Sequence, residues 1–527
     1  MRKVQKGSAW LITASLLVLL LSACAGNNAA PGNNGNADHP PAAPGNNSET
    51  SDAPEQVTLD LFVDQTWWPI KEWSGAVAEE ITRKTGVHLN VTVATDDKQL
   101  QVMIASGDLP DLVATSGQVK RMSDPDLSLA WNDLIAEYAP DWELEQERIG
   151  VNTAEDGNFY TIRNFFSTEA EWEEYKDTAL LYTGGISVRQ DILEELGNPQ
   201  IQSLEDLTAL FQTVKDTYPD MIPLVLNPPN WHRAYFEQQF GALSGFNDVD
   251  GQLVYSLNMP AYKDMYLYMN DLYRKGFIRA ENYAYKSEDQ GKQLMFNGTG
   301  FAFSWTTQGS DQLTSAAKEQ GGYTFVNLPV RLTDNLKIVN SAVGWQGVFI
   351  TKGNKNPEAS IRLMQFLQSD EGQKLALWGI EGEHWEYAPD GDYPVFKYNT
   401  MDDAERVARG AFYWGLLIGS TTTEMRALYE PDTDATRTNQ VVTDETQFMP
   451  AIGLVAPDAD SDEQVVLTNI QEMIKSEESK VLLATSEEAA AAAYDAMVEQ
   501  ANRIGLERLE AWANERYEEA NAQLAGS

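Results

Sequence analysis

VTLDLFVDQTWWPIKEWSGAVAEEITRKTGVHLNVTV, residues 57–93, is where the chain first commits to a fold. Val57, Leu59, Leu61 and Val63 alternate with Thr58, Asp60 and Phe62, the period-two pattern of a strand with one strengthened apolar face. Ser74 is the expected N-cap of a helix carrying Val77 and Ile81, with Arg83 and Lys84 in its last turn and Gly86 beyond it. Val87, Leu89, Val91 and Val93 alternate again. Strand, helix, strand at this spacing predicts a parallel βαβ unit. The link Asp64-Gln-Thr-Trp67-Trp68-Pro-Ile70 then lies outside the carboxyl end of the first strand, where open parallel sheets bind ligands. Two adjacent Trp in a polar loop cannot both enter one core. Either both face a ligand, or one packs inward and the other covers the helix.

Toward the N-terminus the character of the chain changes. Arg2, Lys3 and Lys6 precede an uncharged run from Ala9 to Leu21, 13 residues and so too short for a spanning helix of about 20. It has the form of a secretory h-region. Leu21-Ser22-Ala23-Cys24 resembles the bacterial lipobox, which implies that residues 1–23 are a signal peptide and that Cys24, the only cysteine, takes a diacylglyceryl thioether. Residues 24–54 then form an expected flexible linker. Of the 30 residues from Ala25 to Pro54, seven are Asn, seven Ala, five Pro and four Gly, with no Val, Ile, Leu, Met or aromatic residue to offset ordering entropy. Anchor, linker and globular body predict a protein held by lipid at the outer face of the cell membrane.

The whole chain has 527 residues, 79 Asp and Glu against 38 Lys and Arg, and a net charge of −41 at pH 7. Loss of the three basic signal residues makes it more negative still. Such a surface repels phosphate backbones, so no nucleic-acid partner is expected. With 43% apolar residues the chain is nevertheless rich enough to build large cores. A single cysteine excludes a disulfide framework and any Cys-based zinc site. Asn247-Asp-Val-Asp-Gly251 invites a calcium loop, but a Gly at the sixth position would place Phe246 first and Leu257 twelfth, where ligands are needed. Asn297-Gly-Thr-Gly300 lacks the third glycine and the lysine of a phosphate loop. No cofactor, metal or catalytic residue is expected.

Further along, Asp96 opens a helical stretch closed by Gly107, and Ile104 to Asp111 (IASGDLPD) leads into another strand. Ser341 to Tyr387 reads SAVGWQGVFITKGNKNPEASIRLMQFLQSDEGQKLALWGIEGEHWEY. A strand ends at Thr351. Asn356 and Pro357 open a helix with Ile361, Leu363, Met364, Phe366 and Leu367 on its buried face, and Ser369-Asp-Glu371 opens the next. Leu506, Leu509, Ala513 and Tyr517 run down one face of a terminal helix.

These stretches, with Ala179–Gly197, Asn247–Tyr255 and Gln293–Trp305, resemble the extracellular solute-binding proteins (family 1) of carbohydrate ABC importers. Trp378 to Trp385 is similar to their LplA- or LipO-like lipoprotein subgroup in Gram-positive bacteria. The resemblance implies an α/β fold of the periplasmic-binding-protein type II, with two α/β lobes joined by hinge strands and extra C-terminal helices. It places lobe 1 at 55–183 and 325–380, and lobe 2 at 184–324 and 381–527. It implies a monomer that closes on a small saccharide and docks on the transmembrane subunits of an ABC permease, not an enzyme. Sugars need polar partners for their hydroxyls and aromatic rings for their C–H faces. The aromatic candidates are Trp67, Trp68, Trp231, Trp305, Trp345 and Trp385, and the polar ones Asp64, Asp108, Glu383 and His384. The rival readings are a lipid-anchored carbohydrate-active hydrolase and a ligand-presenting sensor or adhesin. Two carboxylates would suffice for the former, but no Gly-x-Ser-x-Gly or His-Glu-x-x-His sequence is present.

Overall fold

Val57–Val63 and Val87–Val93 form parallel strands in register, Val57 opposite Val87 and Val63 opposite Val93. The computed structural model describes residues 56–525 apart from 97, 228–230, 286, 319, 321, 390, 392, 401 and 458–460. The signal-like segment, Cys24 and the linker lie outside the described residues. The helix between the two strands, Ala76–Thr85, buries Val77, Ala78 and Ile81. Gly75, not Ser74, occupies its N-cap at φ +88, and no side chain caps it. Its last turn is closed by Gly86 in the left-handed conformation, whose N–H reaches Thr82 O.

Leu112–Thr115 pairs in parallel with the first strand, Leu61 opposite Leu112, and Gly347–Ile350 pairs antiparallel with Leu112–Thr115 on the outer side. Leu59, Leu61 and Val63 then meet Ile361, Leu363, Met364 and Leu367 of the helix Pro357–Gln368, as the periodicity of that helix requires. Ser369 caps the next helix, Asp370–Trp378, accepting from Gly372 N at 3.1 Å. This sheet and its helices are the first lobe.

The second sheet runs Ile222–Leu226, Gly300–Thr306, Gly184–Arg189, Phe325–Asn327. Its first two strands are parallel and Gly184–Arg189 is antiparallel to both neighbours. Ile186, Val188, Leu224 and Leu226 pack with Tyr262, Met265 and Met269 of the helix Pro260–Arg274. Val466, Ile470, Leu482, Tyr494, Leu506 and Leu509 of the three C-terminal helices, Asp462–Leu482, Glu487–Ile504 and Leu506–Ala525, enlarge the same core. Segments passing between the lobes share a separate cluster of Trp172, Ala179, Leu181, Val330, Leu336, Ile338, Met425 and Val442. The architecture is the two-lobed α/β fold.

A lobe boundary at 380 assigns residues 381–427 to the second lobe. Instead Trp385, Tyr413, Trp414, Leu416 and Ile418 join the core of the first. Trp385 meets Trp378 edge-on at 4.9 Å and donates its indole N–H to Gly379 O, which pins the segment to the helix it follows.

The terminal helix touches both lobes. Ala513 and Tyr517 pack with Leu253 and Val455, while Asn514 bonds both the N–H and the C=O of Leu253. At the far end the Gln523 amide donates to Gly150 O of the first-lobe helix Gln146–Asn152, and Leu524 lies against the Val151, Phe166 and Val343 cluster.

Candidate ligand cleft

The sheet topology decides which loops meet. In the first lobe, the carboxyl ends of the parallel strands carry Asp64–Trp68 and the turn after Thr115. Gly347 is paired with Thr115, so the segment entering that antiparallel strand, with Trp345, arrives at the same end. In the second lobe, Gly184 is paired with Thr306. The crossing segment that enters at Gly184 therefore reaches the end holding Trp305 and the loop after Leu226. The chain crosses between lobes at the loop-bearing end of each sheet.

Asp64 continues the ladder, its N–H bonded to Ala114 O at 2.8 Å, and its carboxylate accepts from the Thr115 hydroxyl at 2.7 Å. Gln65 is buried, and neither amide atom has a hydrogen-bond partner among the described residues. The chain then turns, Trp68 N–H to Gln65 O at 3.0 Å, and splits the tryptophan pair. Trp68 is 1% exposed, its ring 6.0 Å from Tyr413 and 6.3 Å from Trp414. Trp67 is 55% exposed and 6.1 Å from the half-buried Trp345. Gly344, at φ +86, brings Trp345 to this position, since a Cβ there would lie 2.3 Å from Asn164 O.

On the second lobe Trp231 is 38% exposed with φ +62. Trp305 is only 9% exposed, and the Lys292 ammonium sits 4.0 Å from its ring centre, held by Glu288 at 2.7 Å. Between the lobes, Tyr182 is exposed beside its buried neighbour Leu181. Although 39% of the residue is exposed, partial desolvation raises the Tyr182 hydroxyl; Arg406 opposes the rise and Glu424 adds to it. Burial pushes the Glu424 carboxyl up to about 8, against the pull of Arg406. The Arg406 guanidinium itself lies 3.9 Å over the Phe412 ring.

A family model described as bacterial extracellular solute-binding protein matches residues 67–374. The chain belongs to that family. Solute-binding proteins are carriers, not enzymes, and at family level they serve ABC importers of sugars and oligosaccharides. The structure of an extracellular solute-binding protein from Bifidobacterium longum subsp. infantis is similar, with a TM-score of 0.68 at 15% identity over 88% of this chain and 98% of that one. So is Streptococcus pneumoniae FusA in complex with kestose, with a TM-score of 0.63 at 16% identity over 88% and 100%. Alginate-binding protein AlgQ2 without calcium gives a TM-score of 0.62 at 18% identity over 88% and 98%. At such identities the likeness is one of fold. A comparison with curated protein sequences finds no match.

Within this solute-binding protein the ten sequence candidates separate. Asp64, Trp67 and Trp345 come together at the first sheet, with Trp68 as the buried support beneath them. Trp231 stands at the facing end of the second sheet. Trp305 is there too, but Lys292 occupies its face. Asp108 is misplaced by the expectation: the helix Gln99–Ser106 returns the chain to the amino end of Leu112–Thr115, away from Trp67. Glu383, His384 and Trp385 shape their own turn. His384 Nδ1 accepts from Ile380 N–H at 3.1 Å, which puts the proton of the neutral ring on Nε2. Burial depresses the pKa of His384, Glu383 opposes that, and Arg409 adds to the lowering. Trp385 is buried.

Three residues escaped the sequence reading. Gln65 had a signal in its place before the tryptophan pair. Tyr182 had one in the Gly184-Gly185 that follows, where the backbone passes within 2.3 Å of Tyr235 N, measured from where a Cβ would stand on Gly184. Glu424 had none, being one acid among 79.

Proposed function

We propose that this solute-binding protein captures a sugar or oligosaccharide between its lobes and delivers it to the transmembrane subunits of an ABC permease. Cys24 carries the lipid that holds it at the outer face of the membrane, as in the LplA- and LipO-like subgroup, with residues 1–23 as signal and 24–54 as linker. The observation that carries the reading is the pair of exposed indoles, Trp67 beside the half-buried Trp345 on one sheet and Trp231 on the other, at the ends where the chain crosses between lobes. Indole faces accept the C–H faces of a pyranose or furanose, and buried polar groups such as Gln65 gain hydroxyl partners.

A thermal-shift screen over plant and microbial oligosaccharides tests this. One of them raises the melting temperature with the logarithm of its concentration, as binding to the folded state requires, and is recovered intact after hours. A screen without any such saccharide, or release of a product from it, overturns the reading. Cys24→Ser sheds the protein into the medium; retention at the membrane overturns the anchor alone.

A further inference from the structure

Trp231 combines solvent exposure with a left-handed backbone that a bulky L-residue enters only at a cost. Such a conformation persists where its surroundings over-determine it. The next two residues supply those surroundings. His232 is buried, with Nε2 3.5 Å from a Glu478 carboxylate oxygen and its C=O accepting from the Ser304 hydroxyl at 3.4 Å. Arg233 donates to Glu237 at 3.0 Å, to Ser244 Oγ at 3.3 Å and to Glu478. Glu237 is further bonded by the Ser244 hydroxyl at 2.6 Å, and Glu478 by the Tyr266 hydroxyl at 3.4 Å.

Glu478 comes from the C-terminal helix Asp462–Leu482, remote in sequence, and its side chain is 12% exposed. A buried ion network is a poor source of stability, because desolvation offsets most of the Coulombic gain. What this one does is fix the two residues that follow an exposed indole.

We propose that Glu478 is a positioning residue: through His232 and Arg233, the C-terminal helix holds Trp231 in place at the ligand-facing end of the second lobe. The proposal rests on the reading of Trp231 as a saccharide contact, but the positioning is measurable without any saccharide. In the chain labelled with 5-fluorotryptophan, the fluorine NMR line missing from W231F identifies Trp231. E478Q, which keeps the size and removes the charge, shifts or splits that line and leaves the other indole lines in place. E478D, which restores the charge, brings it back toward the wild-type position. E171Q breaks the comparably buried Arg148–Glu171 pair of the first lobe, 2.6 Å long, and lowers the melting temperature without moving the Trp231 line. An unmoved Trp231 line in E478Q overturns the proposal. If E478Q does not fold, H232Q carries the same readout with the same two outcomes. Saccharide affinity of W231F is a separate measurement: unchanged affinity removes Trp231 from the ligand site while leaving the fluorine result standing.

Discussion

Trp67 on the first lobe leans on Trp68, ring centres 5.7 Å apart, and Trp68 in turn rests on Tyr413 and Trp414. Trp231 on the second lobe is followed by a histidine and an arginine bound to two carboxylates. One exposed indole thus stands on a stack of apolar rings, the other on buried charges. The difference teaches that similar surfaces can respond to unlike perturbations. Packing yields to lost volume and is indifferent to protons, whereas an ion network keeps its shape under small volume changes and depends on protonation.

The largest expected effect removes the stack. Trp68→Ala costs about 3–5 kcal/mol of unfolding free energy, as for large aromatic truncations in packed cores, read by denaturant titration. A loss under about 1 kcal/mol would mean that Trp68 supports nothing. Next comes acid. Burial raises Glu478, but His232 and Arg233 outweigh it and hold the group below its ordinary value of 4.5. A carboxylate depressed in the folded state stabilises above its unfolded value, and that contribution fades as pH falls through the folded one. The melting-temperature gap between wild type and E478Q therefore narrows below about pH 4.5; a gap constant from pH 3 to 7 contradicts the ionic account of the second wall.

Glu424 gives the opposite sign. Its carboxyl is raised to about 8, so the folded state binds a proton that the unfolded state has released above 4.5. Stability from this group is present below pH 4.5 and is lost as pH rises toward 8. Glu424→Gln consequently melts higher than wild type at pH 8 and equally at pH 4, as calorimetry would show. The smallest stability effect is Trp67→Ala, within about 0.5 kcal/mol because the ring is exposed, while saccharide affinity falls about tenfold. Equal losses from Trp67→Ala and Trp68→Ala would dissolve the distinction between surface and support.

Local patterns carried the fold far. The alternation of Val57–Val63 and Val87–Val93 gave two strands with the expected ends, and Leu506, Leu509, Ala513 and Tyr517 are all buried along the terminal helix. What periodicity does not encode is which end of a strand a loop occupies. Asp108 looked like a cleft residue, yet it precedes its strand and so lies at the wrong end. Nor does it encode what covers a ring. Trp305 was eligible until Lys292, from a neighbouring helix, closed over it. In the Glu383–Trp385 turn, His384 accepts from Ile380 N–H and Trp385 donates to Gly379 O, bonds that a linear pattern does not show. Residues 381–427 join the first core because Tyr413 and Trp414 pack on Trp68, more than 340 residues earlier, a pairing that no local period encodes.

The terminal helix has a mechanical consequence. Two bodies joined only by crossing strands swing about those strands with little to resist them. Here a rod of 20 residues is bolted to one body along Leu253 and rests its tip on Gly150 of the other. Closure of the lobes on a ligand would have to slide or break one of these two contacts, so the helix Leu506–Ala525 would set part of the angle through which they turn.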